Sequence, residues 1–279
     1  MQAVIAERRG SERLQALRDR RRIAVLQIRG AIGGAVRTDE LIRTLGNLRR
    51  NARIRAVLLE IDSPGGTAIA SEQLYVAVRR LAGRKPVVAW IKGTGASGAY
   101  FLACGATRVL AFPSAIVGSI GVISVRPVVV DALRRVGARM VVTKTGPFKD
   151  LGAPWREPTE DDEARERELV DAIFRRFTGA VRSARGFDDD ALARVTTGEV
   201  WLGTRALELG LIDGLADDEE SALDVAGDLA GLPHRLTQRI AGRRTIFQRI
   251  GVPGAGIGPP GERWLIEMES WMGTPRLRA

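Results

Sequence analysis

"PVVAWIKGTGASGAYFLACGA", residues 86–106, begins as an apolar run and then gathers small residues around a single serine, Ser97. The first part reads as a buried strand and "AYFLACGA" as a helix start, so the stretch is a strand-to-helix corner built from Gly, Ala and Ser. Such a corner aims the serine hydroxyl outward and points the first N–H groups of the helix at one spot. Ser97 is therefore a candidate nucleophile. A small residue that merely lets a turn close would look the same at this position. The choice rests on whether the chain also supplies a base, oxyanion donors and a suitable fold.

On either side of this corner, strand and helix patterns alternate. "RIAVLQIRGAI" (22–32), "IRAVLLEID" (54–62), "PVVAWIKG" (86–93) and "TRVLAF" (107–112) read as strands. "TDELIRTLGNLRRN" (38–51), capped by Thr38, and "GTAIASEQLYVAVRRLAG" (66–83) read as helices. Strands separated by helices of this length predict parallel βαβ units with both sheet faces covered. Further on, "VGSIGVISV" (117–125) is apolar, "VVVDALRRVG" (128–137) helical and "ARMVVTK" (138–144) extended. After Pro158 a long amphipathic helix with an acidic start is expected, then shorter helices near 188–194, 204–210 and 217–230. "GVPGAGIGPPG" (251–261) is a Gly/Pro-rich linker. Beyond it, Trp264, Leu265, Met268, Trp271 and Met272 fall along one side of a helix.

The 279 residues, 45% apolar, are enough for one large domain with terminal extensions, and disorder throughout is excluded. No apolar run approaches the roughly 18–20 residues of a membrane span. The N-terminus also lacks the apolar core of a signal peptide. The expected location is cytoplasmic or peripherally membrane-associated. The net charge of +10 resembles a nucleic-acid signal until it is divided along the chain. Residues 1–22 hold seven Arg against three acids and residues 231–279 eight Arg against three, leaving 28 basic and 27 acidic residues between them. Nucleic acid is not an expected partner. Arginine beside apolar residues in the tails suits contact with an anionic membrane surface. One cysteine, Cys104, excludes an internal disulfide and reads as a small core residue. With one His and one Cys, no metal site and no cofactor are expected.

A serine nucleophile needs a base. The only histidine, His234 in "GLPHRL", is remote in sequence from the other motifs, which disfavours a Ser-His-Asp triad. Lysine is the natural substitute. Of 43 basic residues, 39 are Arg and four are Lys: Lys85, Lys92, Lys144 and Lys149. Arg cannot surrender its proton in a protein, whereas a desolvated Lys can. Lys85 stands at a strand entrance, Lys92 close to the corner on its strand side, and Lys149 in the loop "KTGPFKDLGAP" after an extended segment. Asp150 complicates Lys149, since a close carboxylate makes an ammonium harder to deprotonate. Oxyanion donors come from "EIDSPGG" (60–66), a strand that ends in a glycine turn and opens a helix, and from Gly98 behind Ser97.

Taken in order, "IDSPGG", "GTGASGAYFLACGATRVLAFPSAIVGSIGVI", "KTGPFKD" and "GEVWLGTRALELGLIDGLA" resemble the signal peptide peptidase A (SppA) family of serine peptidases over roughly residues 22–230. The resemblance implies an α/β ClpP/crotonase-like fold of repeated ββα/βαβ units with a mainly parallel sheet and covering helices. With it the peptidase domain is expected at 22–240, leaving the basic extension at 1–21 and the linker with its amphipathic segment at 241–279. It implies Ser97 as nucleophile, Lys149 as general base and the Gly66 and Gly98 amides as oxyanion hole, while Lys144 belongs to the motif without being the base. Ring-shaped homo-oligomers and extended apolar peptide substrates, such as spent signal peptides, come with it. Members of the family are usually tethered by an N-terminal membrane segment, whereas a basic stretch stands there in this sequence. Two rival readings remain: a crotonase-like acyl-CoA enzyme using the same amide pair on a thioester, and a noncatalytic, membrane-associated ring scaffold.

Overall fold

The computed structural model describes residues 22–232 and 236–240. The basic tail at 1–21, His234 and the apolar stripe after residue 260 lie outside the described residues. The chain divides into two compact units, one running up to Ser119 and resuming at Glu199, the other Ile120–Gly198.

The elements in chain order are β1 (Arg22–Arg29), α1 (Thr38–Arg50), β2 (Ile54–Ser63), α2 (Ala68–Ala82), β3 (Val87–Ala96), α3 (Gly98–Ala103), β4 (Arg108–Ala111) and β5 (Ile116–Gly118). The second unit contributes α4 (Val130–Arg135), α5 (Glu160–Arg185) and α6 (Asp189–Val195). The chain then returns to the first unit with β6 (Val200–Leu202), α7 (Gly203–Glu208), β7 (Gly214–Leu215), α8 (Glu219–Leu229) and β8 (Thr237–Ile240).

All the strands join one sheet in the order β6-β5-β3-β2-β1-β8, with β4 also on β3 and β7 on β4. Every pairing is parallel except β5 with β6. β1 and β2 are nearly continuous apolar runs because a parallel strand is buried on both faces. On one face Ile23, Val25, Ala56, Leu58, Val88 and Trp90 pack with Ala222 and Ala226 of α8. The alternate residues, Leu59, Ile61 and Ile91, are fully buried on the other face, where α1 and α2 pack with Leu45, Leu74, Val78 and Leu81. Each such buried aliphatic side chain contributes about 1.5–3 kcal/mol. Two long-range bonds tie the returning segment to this core: Trp90 Nε1 donates to Ala216 O at 3.1 Å, and the Tyr100 hydroxyl to Leu211 O at 2.6 Å.

One irregularity positions the site. β2 and β3 pair in register from Val57↔Val87 to Ile61↔Ile91, then resume at Ser63↔Gly95, so β3 bulges at residues 92–94. Asp62 fills the bulge, accepting from Thr94 N at 3.2 Å. A Cβ on Gly93 would fall 2.6 Å from Asp62 Oδ1, so a side chain there would displace the carboxylate. Past the bulge, β3 leaves β4 and pairs with β5 from Thr94↔Ile116 to Ala96↔Gly118.

Three local expectations change. Thr38 is the first helical residue of α1 rather than its cap; Arg37 holds that position and no side chain caps the helix. The "ARMVVTK" segment forms no strand, pairs with none of the described strands and is exposed throughout. β3 runs to Ala96, three residues beyond the sequence reading, since β5 supplies it with a second partner. The long helix appears as α5. It opens with a capping box between Thr159 and Asp162, carries four acids in its first turn and ends at Gly186 in the left-handed region. Cys104 is buried, as its surroundings suggested.

Candidate active site

Ser97 joins β3 to α3 at φ 50° and ψ −123°, a conformation that costs a non-glycine residue about 1–3 kcal/mol. Hydrogen bonds on both sides hold it there: its N–H donates to Gly118 O of β5 at 2.7 Å, and its carbonyl accepts from Phe101 N at 2.9 Å. Behind it α3 is wholly buried, anchored by Tyr100, Phe101 and Leu102. The serine itself is half-buried, on a sharp turn from strand to helix.

The turn after β2 lies directly against this corner. Gly65 has φ +103°, and a Cβ there would sit 2.7 Å from Gly98 N and 2.9 Å from Ser97 Cβ, so the two loops touch backbone to backbone. At Gly66 a Cβ would fall 2.0 Å from Ile32 O. Ile32 N donates to Gly65 O at 2.7 Å and Thr67 N to Ile32 O at 3.0 Å. Because the residues flanking Gly66 take both bonds to Ile32, the Gly66 N–H faces away from it. Neither this N–H nor that of Gly98 has an acceptor among the described residues. The two are close, since the position of a Gly98 Cβ lies 3.4 Å from Gly66 N. Ser71, buried on α2 and donating to Thr67 O at 2.8 Å, fills the space beneath Gly98. One unit thus brings together Ser97 and two unpaired amides, an arrangement able to hold a negative oxygen next to a nucleophile.

The lysines separate by their partners. Lys85 Nζ donates to Leu48 O at 2.7 Å and Asn51 O at 2.5 Å, capping the C-terminus of α1. Lys92 Nζ binds Glu60 Oε2 at 3.1 Å. Glu60 is buried in the sheet and also accepts from Gln27 at 2.9 Å and Arg239 at 3.4 Å. Burial works against its charge, but the bonds from Gln27 and Lys92 outweigh this and hold its carboxyl below the usual range. Lys144 Nζ binds Asp150 Oδ1 at 2.7 Å and Pro147 O at 2.8 Å. Lys149 lies in the second unit, exposed, and within that unit its ammonium has no partner. Its neighbour Asp150 is turned to other cations. Arg156 grips that carboxylate through Nε and Nη2, both at 3.0 Å. Sequence reading missed this Arg156 pairing and the Glu60 cluster; the only signal for either was a charged residue inside an otherwise apolar or loop pattern.

The profile of peptidase family S49 matches residues 79–232, more than half of the chain. The chain belongs to peptidase family S49. A putative protease of Synechocystis, slr0021, is 33% identical over 213 residues that cover 76% of each chain. The chloroplastic serine protease SPPA of Arabidopsis thaliana is 28% identical over 225 residues, covering 77% of this chain and 33% of its own. Among solved structures, the membrane-bound stomatin-specific protease 1510-N, as a serine-to-alanine mutant, superposes with a TM-score of 0.52. It shares 16% identity and covers 80% of this chain and 99% of its own, which shows the shared ClpP/crotonase-like fold. This S49 member is a serine-type peptidase, a hydrolase, and membership decides for peptide hydrolysis over acyl-CoA chemistry. Among its described residues no helix is long and apolar enough to cross a membrane.

Proposed function

We propose that the protein is an endopeptidase working through a Ser/Lys dyad, with Ser97 as nucleophile, Lys149 as general base and the Gly66 and Gly98 amides as oxyanion hole. The observation that carries this reading is the strained corner at Ser97 with two acceptor-free N–H groups against it. The accounting of lysines supports the base, since the other three are engaged with carbonyls or carboxylates. In the reaction, Ser97 Oγ attacks the peptide carbonyl carbon while neutral Lys149 takes its proton. The carbonyl oxygen becomes the oxyanion held by Gly66 and Gly98. The lysine then gives the proton to the leaving amine. Water, activated by the same lysine, releases the acyl group from Ser97.

Extended apolar peptides, including remnant signal peptides, are the proposed substrates. Beside the corner, Ile116, Val200 and Leu202 on β5 and β6 and Ile69 at the start of α2 are all exposed, which suits an apolar chain laid along the strand edge. We also infer a homo-oligomer and, through the arginine-rich tails, peripheral contact with anionic membranes. Ser97→Ala and Lys149→Ala are each expected to lower hydrolysis of an apolar peptide at least about a thousandfold while circular dichroism stays unchanged. Intact mass should detect an acyl group on Ser97. Full activity in either variant would discard the dyad.

A further inference from the structure

The Lys149 loop carries a problem and a device that answers it. The residue after the proposed base is an aspartate, and a carboxylate free to approach an ammonium within about 4–6 Å stabilises its protonated, catalytically useless form. In the structure that carboxylate is occupied. Arg156 Nε donates to Asp150 Oδ2 and Nη2 to Asp150 Oδ1, each at 3.0 Å, while Lys144 Nζ binds Oδ1 at 2.7 Å. The same guanidinium reaches the start of α5, where Nη2 donates to Asp162 Oδ1 at 3.0 Å and Nη1 to Asp162 Oδ2. Asp162 in turn accepts from Thr159 N at 2.9 Å as part of the helix cap. One planar fork therefore bolts the loop to the N-terminus of a 26-residue helix, gripping two carboxylates bidentately as a lysine ammonium cannot.

Other charges stand around this segment: Arg134 and Arg139 line the same cavity as Asp150 and Arg156, and Arg134 pairs with Asp131 at 3.0 Å. Glu166 of α5 binds Arg126 at 3.1 Å, and Arg165 lies over the Phe148 ring at 5.5 Å while pairing with Glu168. Among the charged groups here, Asp150 is the one adjacent in sequence to Lys149, so its orientation bears most directly on that amine.

We propose that Arg156 is a positioning residue for the general base: by holding the Asp150 carboxylate against the α5 cap, it keeps that charge away from the Lys149 ammonium and sets the loop that presents it. This rests on the reading of Lys149 as the base. The test is the pH profile of kcat/KM on an apolar peptide for the full chain and for Arg156→Gln, Asp150→Asn and the double variant, with Lys149→Ala alongside. Arg156→Gln removes two of the three side-chain bonds on the carboxylate and leaves Lys144 on Oδ1 alone. The carboxylate can then swing, and the acid limb of the profile moves to higher pH by about one unit. Activity then falls about tenfold on the acid side. Adding Asp150→Asn returns the limb to or below its original position. A merely structural role would lower activity evenly at every pH and would not be reversed by removing the carboxylate; that result overturns the assignment. Should Arg156→Gln fail to fold, Arg156→Lys keeps the charge but loses the fork, and the same shift with the same reversal is expected. If Lys149→Ala retains full activity, the dyad and this inference fall together. If it is inactive and the Arg156 profile stays in place, the positioning role alone is lost.

Discussion

In the proposed mechanism the backbone at Gly66 and Gly98 acts as the reagent, and both positions are closed to side chains. A Cβ on Gly66 would fall 2.0 Å from a main-chain oxygen that cannot move without breaking the Ile32 bridge, so Gly66→Ala must displace the N–H it carries. The expected result is a kcat lowered about 10²–10³-fold, as for loss of one oxyanion donor, with a smaller change in KM. Steady-state kinetics on a peptide amide would show it; an unchanged kcat would remove Gly66 from the oxyanion hole. At this scale much was legible. Small residues around one serine, glycines after a strand and a scarcity of lysine are all local or compositional signals. The partners of those lysines were not legible, because Glu60 stands 32 residues from Lys92 inside a run that reads simply as a buried strand.

Among the elements, the start of α5 with the loop before it depends most on charge. Arg156 first, then Lys144, hold the Asp150 carboxyl down at about 2, below its ordinary 3.8. Asp162 is depressed still further, by Arg156 and by the Thr159 cap. A depressed carboxylate contributes stability that is fully present above its unfolded value and lost as pH falls through the folded one. The loop is therefore expected to stay ordered at pH 5 and to loosen between about pH 4 and 2, read by fluorescence at Trp155. In Arg156→Gln the loosening begins at higher pH. No difference between the two proteins would mean the network contributes nothing to order.

The sheet has its own charged anchor in Glu60. Glu60→Ala takes the acceptor from Gln27 and frees the half-exposed Lys92, while Arg239 keeps its pairing with Glu219. A loss of about 1.5–3 kcal/mol in denaturant unfolding is expected, the range for hydrogen bonds to a buried charge. A midpoint equal to that of the parent protein would contradict it. Strands and helices of ten residues or more were readable from their periodicity, whereas β5, β6, β7 and β8 have two to four residues each and too few positions to show a period.

Over the whole molecule, exposed apolar side chains gather in the second unit: Ile123, Val125, Val136 and Val141 are each more than 70% exposed. Apolar surface on this scale suits self-association. Sedimentation at micromolar concentration is expected to give an oligomer, and Val141→Asp to shift it toward smaller species without unfolding the chain. A monomer at every concentration would sink the proposed assembly. By itself the sequence determined the alternation of strand and helix, the corner at Ser97 and the glycine turn beside it, because periodicity and turn chemistry are written within a few neighbouring residues. Only the tertiary structure decided where β3 bulges and changes partners, and which two amides beside Ser97 are left without acceptors among the described residues. Those outcomes depend on groups brought together from separate parts of the chain, and neither a strand register nor a hydrogen-bond partner across that separation is encoded locally.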